Sequence, residues 1–162
     1  MPFRSFVAVQ AVKQGIPAIA VFGGVNGTTS VSYTTLTTNP NSTATKAALV
    51  YADLTTQISA AVWNSGAPFM PPGHILVVNY PAFPRCTDAS QYKFVLAKFG
   101  DTGARSVQTC GQTTLPLASD VVNAKGCFAS VTLLNGTAFH DATEKKQAVM
   151  IKRLGDFLGC LN

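Results

Sequence analysis

The stretch Pro17-Ala18-Ile19-Ala20-Val21-Phe22-Gly23-Gly24 constrains the fold more than any other part of the chain. Its five consecutive apolar residues, opened by a proline and closed by two glycines, are too few for a buried helix and too uniformly apolar for a strand with one wet face. Ahead of it, Phe6, Val7, Val9 and Val12 precede Gly15, a natural helix terminator. A helix that hands the chain through a tight turn to a fully buried strand predicts an α/β fold with a parallel sheet covered on both faces. Such a sheet normally has more strands than the rest of this sequence supplies.

A second buried strand is expected at Ile75-Leu76-Val77-Val78-Asn79-Tyr80, entered through Pro71-Pro72-Gly73 and terminated by Pro81 and Pro84. Residues 92–99 and 105–110 flank Asp101-Thr102-Gly103 and predict a β-hairpin that returns Cys110 toward Cys86. Residues 127–134 read as the last strand. Between the first two strands, residues 23–44 form a long Gly/Thr/Ser/Asn-rich connection. Thr45 then caps a helix running to about Asn64, with Leu54, Ile58, Ala61 and Val62 facing inward. Asp141 and Glu144 read as a capping box for a closing helix whose stripe is Met150, Leu154, Phe157, Leu158 and Leu161. With 162 residues and no linker or repeat, the sequence is one domain, 1–162.

Charge narrows the function classes. Lys and Arg total 12 against 7 Asp and Glu, a net charge of +5, but the basic residues are scattered rather than striped and no aromatic platforms lie between them. Nucleic acid is not the expected partner. No apolar run is long enough to cross a bilayer. Cys86, Cys110, Cys127 and Cys160 contain no C-x-x-C pair, which weakens metal and redox readings. An even cysteine count together with sequons at Asn26, Asn41 and Asn135 points to an oxidising, secretory route and a glycoprotein. The first residues do not read as a signal peptide, so the expectation is of a secreted protein whose targeting segment lies upstream.

Catalytic constellations are sparse. There is no G-x-S-x-G elbow, and His74 and His140 read as solvated loop histidines, each the base of a hydrolase only if a hydroxyl and a carboxylate stand beside it. The acids do not cluster: Asp53 lies on a helix face, Asp88, Asp101 and Asp120 fall in turns, Asp141 and Glu144 cap, and Asp156 faces solvent. No metal site is therefore expected within the chain. Gly23 and Gly24 are weak candidates for substrate binding, as a phosphate cradle after a strand, although a turn needing positive φ explains them equally well.

The order of segments Gly15-Ile16-Pro17-Ala18-Ile19-Ala20, Val31-Ser32-Tyr33-Thr34-Thr35-Leu36-Thr37-Thr38, Pro71-Pro72-Gly73 with Val77-Val78-Asn79-Tyr80-Pro81, and Gly126-Cys127-Phe128-Ala129-Ser130-Val131-Thr132 resembles the SurE-like survival-protein phosphatases, most closely their secreted fungal branch. The resemblance covers nearly all of the chain from about Val9 onward. It implies a Rossmann-type three-layer α/β/α domain, here missing its N-terminal strands and carrying a β-hairpin extension. It also implies a metal-dependent phosphomonoesterase or 5'(3')-nucleotidase that hydrolyses nucleoside monophosphates or similar esters with Mn²⁺ or Mg²⁺. The family holds that metal on an Asn-Asp-Asp-Gly motif that has no counterpart here, and Phe22 stands where a Ser is common. The chain is therefore expected to bind no metal and to be inactive alone, because phosphate ester hydrolysis needs a cation to offset the substrate's charge and activate water. The resemblance further implies disulfides Cys86–Cys110 and Cys127–Cys160, and a possible homodimer through the hairpin region. The alternative reading is a secreted, non-catalytic binding or interaction protein built on the same fold.

Overall fold

The computed structural model describes residues 5–24, 32–100 and 105–161. Its centre is a five-stranded mixed sheet in the order β1-β2-β4-β3-β5, with β1 at Ala18–Gly24, β2 at His74–Ala82, β3 at Lys93–Ala97, β4 at Phe128–Asn135 and β5 at Leu158–Gly159. β1 and β2 run parallel, as the apolar runs predict, and β3 runs parallel to both β4 and β5. The sheet is not wholly parallel, however, because β4 pairs antiparallel with β2 over six register positions.

Side-chain alternation along the strands separates two faces. On one, Leu76, Val78 and Tyr80 of β2 with Ala129, Val131 and Leu133 of β4 pack beneath α3 (Thr43–Asn64) and α5 (Glu144–Leu154). On the other, α1 (Ser5–Lys13) covers Ala18, Ala20 and Ile75, while α4 (Ala118–Asn123) covers Val95, Ala97 and Phe128. The domain is thus a three-layer α/β/α arrangement. α3 buries Val50, Leu54, Ile58 and Val62, a helical stripe that includes most of the expected one, with Ala61 only half-buried.

Several local expectations are corrected. Ser42, not Thr45, is the N-cap of α3: its Oγ accepts from the Thr45 N–H at 3.1 Å, while the buried Thr45 hydroxyl reaches the Asn39 carbonyl at 2.8 Å. That contact ties α3 to the single turn α2 (Thr35–Thr38), which interrupts the long connection. Among the described residues of 92–110 no hairpin is formed: β3 is sandwiched between β4 and β5, residues 105–108 are not a strand, and the expected turn at Asp101-Thr102-Gly103 lies outside the described residues. β4 is not the last strand, because the closing helix stops at Leu154. There the Gly155 φ of 46° turns the chain through a 3₁₀ turn holding Phe157 into β5, so Phe157, Leu158 and Leu161 do not continue the helical stripe.

The capping box also gives way. α5 begins after Thr143, which makes no side-chain cap, and the Asp141 carboxylate instead accepts the backbone N–H groups of Phe99 and Gly100 at 2.6 and 3.1 Å. A loop with two unpaired N–H donors competes better for that carboxylate than a helix whose first turn is already exposed.

The disulfides are Cys86–Cys127 and Cys110–Cys160, not the local pairs the family resemblance implies. The strand order gives the reason. β3 and β4 are parallel neighbours, so the segments entering them lie side by side, and the Lys93 N–H donates to the Cys127 carbonyl at 2.8 Å. That places Cys86 and Cys127 with Cα atoms 5.8 Å apart. Cys110 does not return to Cys86; it lies instead beside the end of β5, where Cys160 follows the strand.

Candidate functional site

A groove of about 340 Å³ opens on the α1/α4 face over the carboxyl ends of β1 and β2. Phe22, Gly23 and Gly24 line it from β1, Asn79 and Tyr80 from β2, and Phe99, Ala118, Ser119 and Val122 from the side where α4 packs. In open α/β sheets the crevice outside the carboxyl ends of parallel strands is the customary ligand site, because the backbone N–H and C=O groups released there are free to meet a ligand.

Both candidate glycines are present, but for a different reason than expected. They lie inside β1, and neither has a positive φ. A Cβ on Gly24 would stand 2.6 Å from the Ala82 backbone nitrogen, and one on Gly23 2.8 Å from the Tyr51 ring. The glycines allow the end of β1 to press against β2 and α3. Tyr51 secures this junction: its hydroxyl lies 2.7 Å from the Gly24 carbonyl and 2.9 Å from that of Pro81, and it accepts the Phe83 N–H at 3.1 Å. Burial raises the Tyr51 phenol above its ordinary value, opposed by the hydrogen bond from Phe83.

From Asn79, which lines the groove, a row of buried polar side chains runs inward along the sheet. Asn79 donates through Nδ2 to Ser130 Oγ at 3.3 Å, and Thr132, two positions along on the same face, is fully buried with no hydrogen-bond partner for its hydroxyl among the described residues. Of this row only Asn79 reaches the groove, where Ser119 is a second neutral hydrogen-bonding side chain. Among the described residues that line the groove, the Tyr80 phenol, raised above its ordinary value by burial, is the one titratable side chain, and no carboxylate, imidazole or amine joins it.

The remaining candidates are dispersed. His74 is not a solvated loop residue: it opens β2, is buried, and its Nδ1 lies 2.8 Å from the Pro72 carbonyl. His140 is exposed, with Nδ1 3.0 Å from the Asp141 carbonyl. Among the described residues neither histidine has a hydroxyl and a carboxylate hydrogen-bonded to it. Asp53 and Asp156 are exposed, as expected, but Asp120 sits in the first turn of α4 rather than in a turn. Asp88 caps a 3₁₀ turn, and its carboxyl is held below the usual range first by the Ser90 side chain and then by the Ser90 N–H. Among the described residues no three His, Cys, Asp or Glu side chains come together as a metal site.

Of the sequons, Asn41 is exposed in the turn before Ser42, and Asn135 is half-buried at the end of β4 with Oδ1 accepting the Thr137 and Ala138 N–H groups at 2.9 Å. Asn26 lies outside the described residues. All four cysteines are oxidised, the state of an oxidising compartment. No helix among the described residues is long and apolar enough to cross a membrane.

Sequence reasoning missed α4 and hence the Ser119 and Val122 wall, because six residues carry too little periodicity to register. Asn79 was also missed, read only as part of a buried strand, although a lone amide within an apolar run is a signal that could have found it. No protein-family model and no curated protein matches the chain significantly.

Proposed function

We propose that this chain is the C-terminal portion of a secreted, SurE-like, metal-dependent phosphomonoesterase domain. In this reading its groove receives part of a nucleoside monophosphate or similar ester while the hydrolytic centre is supplied by residues outside the sequence. The carrying observation is the position and chemistry of the groove: it lies at the carboxyl ends of the parallel pair β1–β2, offers Asn79, Ser119 and Tyr80 as polar contacts, and among the described residues holds no carboxylate or imidazole. The segment order that resembles the family and the all-disulfide cysteines support the same reading.

Mn²⁺ or Mg²⁺ does not fit the residues described. A hard divalent ion needs clustered oxygen ligands, whereas Asp141 spends both oxygens on backbone N–H groups and the other described acids stand apart. No hydrolytic step is assigned to this chain. Assaying phosphate release from nucleoside monophosphates with and without Mn²⁺, on this chain and on a version extended upstream, tests the proposal. Activity is expected only in the extended protein with metal; metal-stimulated turnover by the present 162 residues would overturn it.

A second reading, a non-catalytic interaction protein that forms a homodimer, is favoured by β1. This apolar strand pairs only with β2 among the described residues, which leaves it as a sheet edge able to accept another strand. Sedimentation that rises with protein concentration, with no phosphate release by the extended protein either, would support this reading against the first.

A further inference from the structure

A second cavity, of about 390 Å³, lies at the opposite edge of the sheet. Its origin is the shortness of β5, which pairs only with Phe94 and Val95 of β3. The next neighbour on that edge is Leu117, bridged to Lys98, so among the described residues no strand fills the interval beside Leu96. Val95, Leu115, Ile151, Leu158 and Leu161 line the space, and Ile151, Leu158 and Leu161 remain only half-buried. Thr109, Gln112 and Thr114 supply the polar side chains, and among the described residues no charged side chain lines the cavity, in a protein of net charge +5.

The wall formed by residues 109–116 is held in an unfavourable conformation. Cys110 has a φ of 56°, a left-handed geometry that a non-glycine residue rarely adopts, and Gly111 follows at 71°. The Cys110–Cys160 disulfide ties this strap to the C-terminal wall, and both cysteines face the cavity. Ser106 Oγ accepts the Leu115 N–H at 2.9 Å, fixing the far end of the strap. The covalent tie and the buried hydrogen bond fix this strap at both of its ends.

We infer that this cavity is a binding site for a small, neutral, largely apolar molecule that places a hydrogen-bonding group against Gln112 and Thr114. The volume is in the range of small-molecule sites, and the mix of an aliphatic lining with a few convergent neutral polar groups is their usual chemistry. Absence of lining charge selects against anions, which the basic surface would otherwise favour. The site is separate from the groove over β1 and β2 and does not depend on the phosphatase reading.

Titrating the oxidised protein with the neutral solvatochromic dye Nile red tests the inference. Saturable one-to-one binding with a blue-shifted emission is expected, tighter than that of an anionic naphthalene sulfonate dye. Ile151→Trp, which fills the cavity, should weaken it at least tenfold, whereas Trp63→Ala, which removes the exposed ring stacked on Phe69, should not. Absence of saturable binding, preference for the anionic dye, or loss on Trp63→Ala but not on Ile151→Trp would overturn it. Should Ile151→Trp fail to fold, photolysis of the native protein with a neutral alkyl diazirine decides instead. Labelled peptides from 109–116 or 151–161 are expected, and labelling confined to other peptides would overturn the assignment.

Discussion

The two edges of the sheet are secured by opposite means. At one, β1 pairs with β2 over seven register positions, α1 packs over it, and Tyr51 bolts its end to Pro81 and Phe83 without any covalent tie. At the other, β5 offers two register positions to β3 and is followed at once by Cys160, cross-linked to Cys110. A long apolar strand holds its place through burial and hydrogen bonds spread along its length, which a two-residue strand cannot accumulate. The disulfide substitutes for that missing length, and it leaves beside β5 the space that a longer strand would have filled.

The largest effect is expected from removing that staple. Cys110→Ser with Cys160→Ser releases a separation of 50 residues, which the chain-entropy model values at about 4 kcal/mol of stability, read by urea unfolding. Cys86→Ser with Cys127→Ser, at a separation of 41, should cost nearly the same, since loop length enters only logarithmically. Hydrogen exchange separates them: loss of the first bridge should speed exchange at Leu158 and Gly159 and leave β1 unchanged. Equal exchange at both edges would break the contrast.

At the opposite edge the corresponding variant is Gly24→Ala. The added methyl meets the Ala82 nitrogen and the Pro81 carbonyl carbon at 2.6 and 2.8 Å, both backbone atoms that cannot rotate aside. Overpacking of this kind costs about 2 kcal/mol, and thermal unfolding measures it. Gly23→Ala meets the Tyr51 ring, a side chain with more freedom to yield, and should cost less.

Tyr51→Phe tests the bolt itself. It strands the Phe83 N–H and removes the donor facing Gly24 and Pro81, for a loss of about 1.5 kcal/mol by urea unfolding. The same region responds to alkali. Burial raises the phenols of Tyr51, Tyr80 and Tyr92, so their contribution is fully present below the free phenol's value of about 10 and is lost as pH rises through the higher folded values. Urea midpoints should therefore fall above that pH, and fall less steeply in Tyr51→Phe.

What the sequence made legible follows the same division. β1, β2 and α3 are long apolar or amphipathic segments bounded by Pro and Gly, and each lies close to where its pattern places it. β5 and α4 are too short to carry a period, so Leu158 was absorbed into the preceding helical stripe and Asp120 into a turn. The disulfide pairing failed for the same reason: it depends on which strands are neighbours, and the place of β3 between β4 and β5 is a tertiary fact absent from local pattern. The groove was half legible. Gly23 and Gly24 were visible as glycines, but their cause, the approach of Tyr51 and Ala82 from distant segments, was not.

The smallest expected effect lies midway between the edges, on β4, and has the opposite sign. Thr132 is fully buried, its hydroxyl finds no partner among the described residues, and it sits opposite Val77 and beside Ala97 on the face that carries Asn79 and Ser130. Thr132→Val keeps the branched shape and removes a desolvated hydroxyl, so it should stabilise by about 1 kcal/mol, seen as a higher urea midpoint with an unchanged slope. A loss instead would mean that the hydroxyl is satisfied by water reaching it along the polar row from Asn79. The groove over β1 and β2 would then extend, hydrated, to the middle of the sheet, and the strand separating the two edges would itself be part of the binding surface.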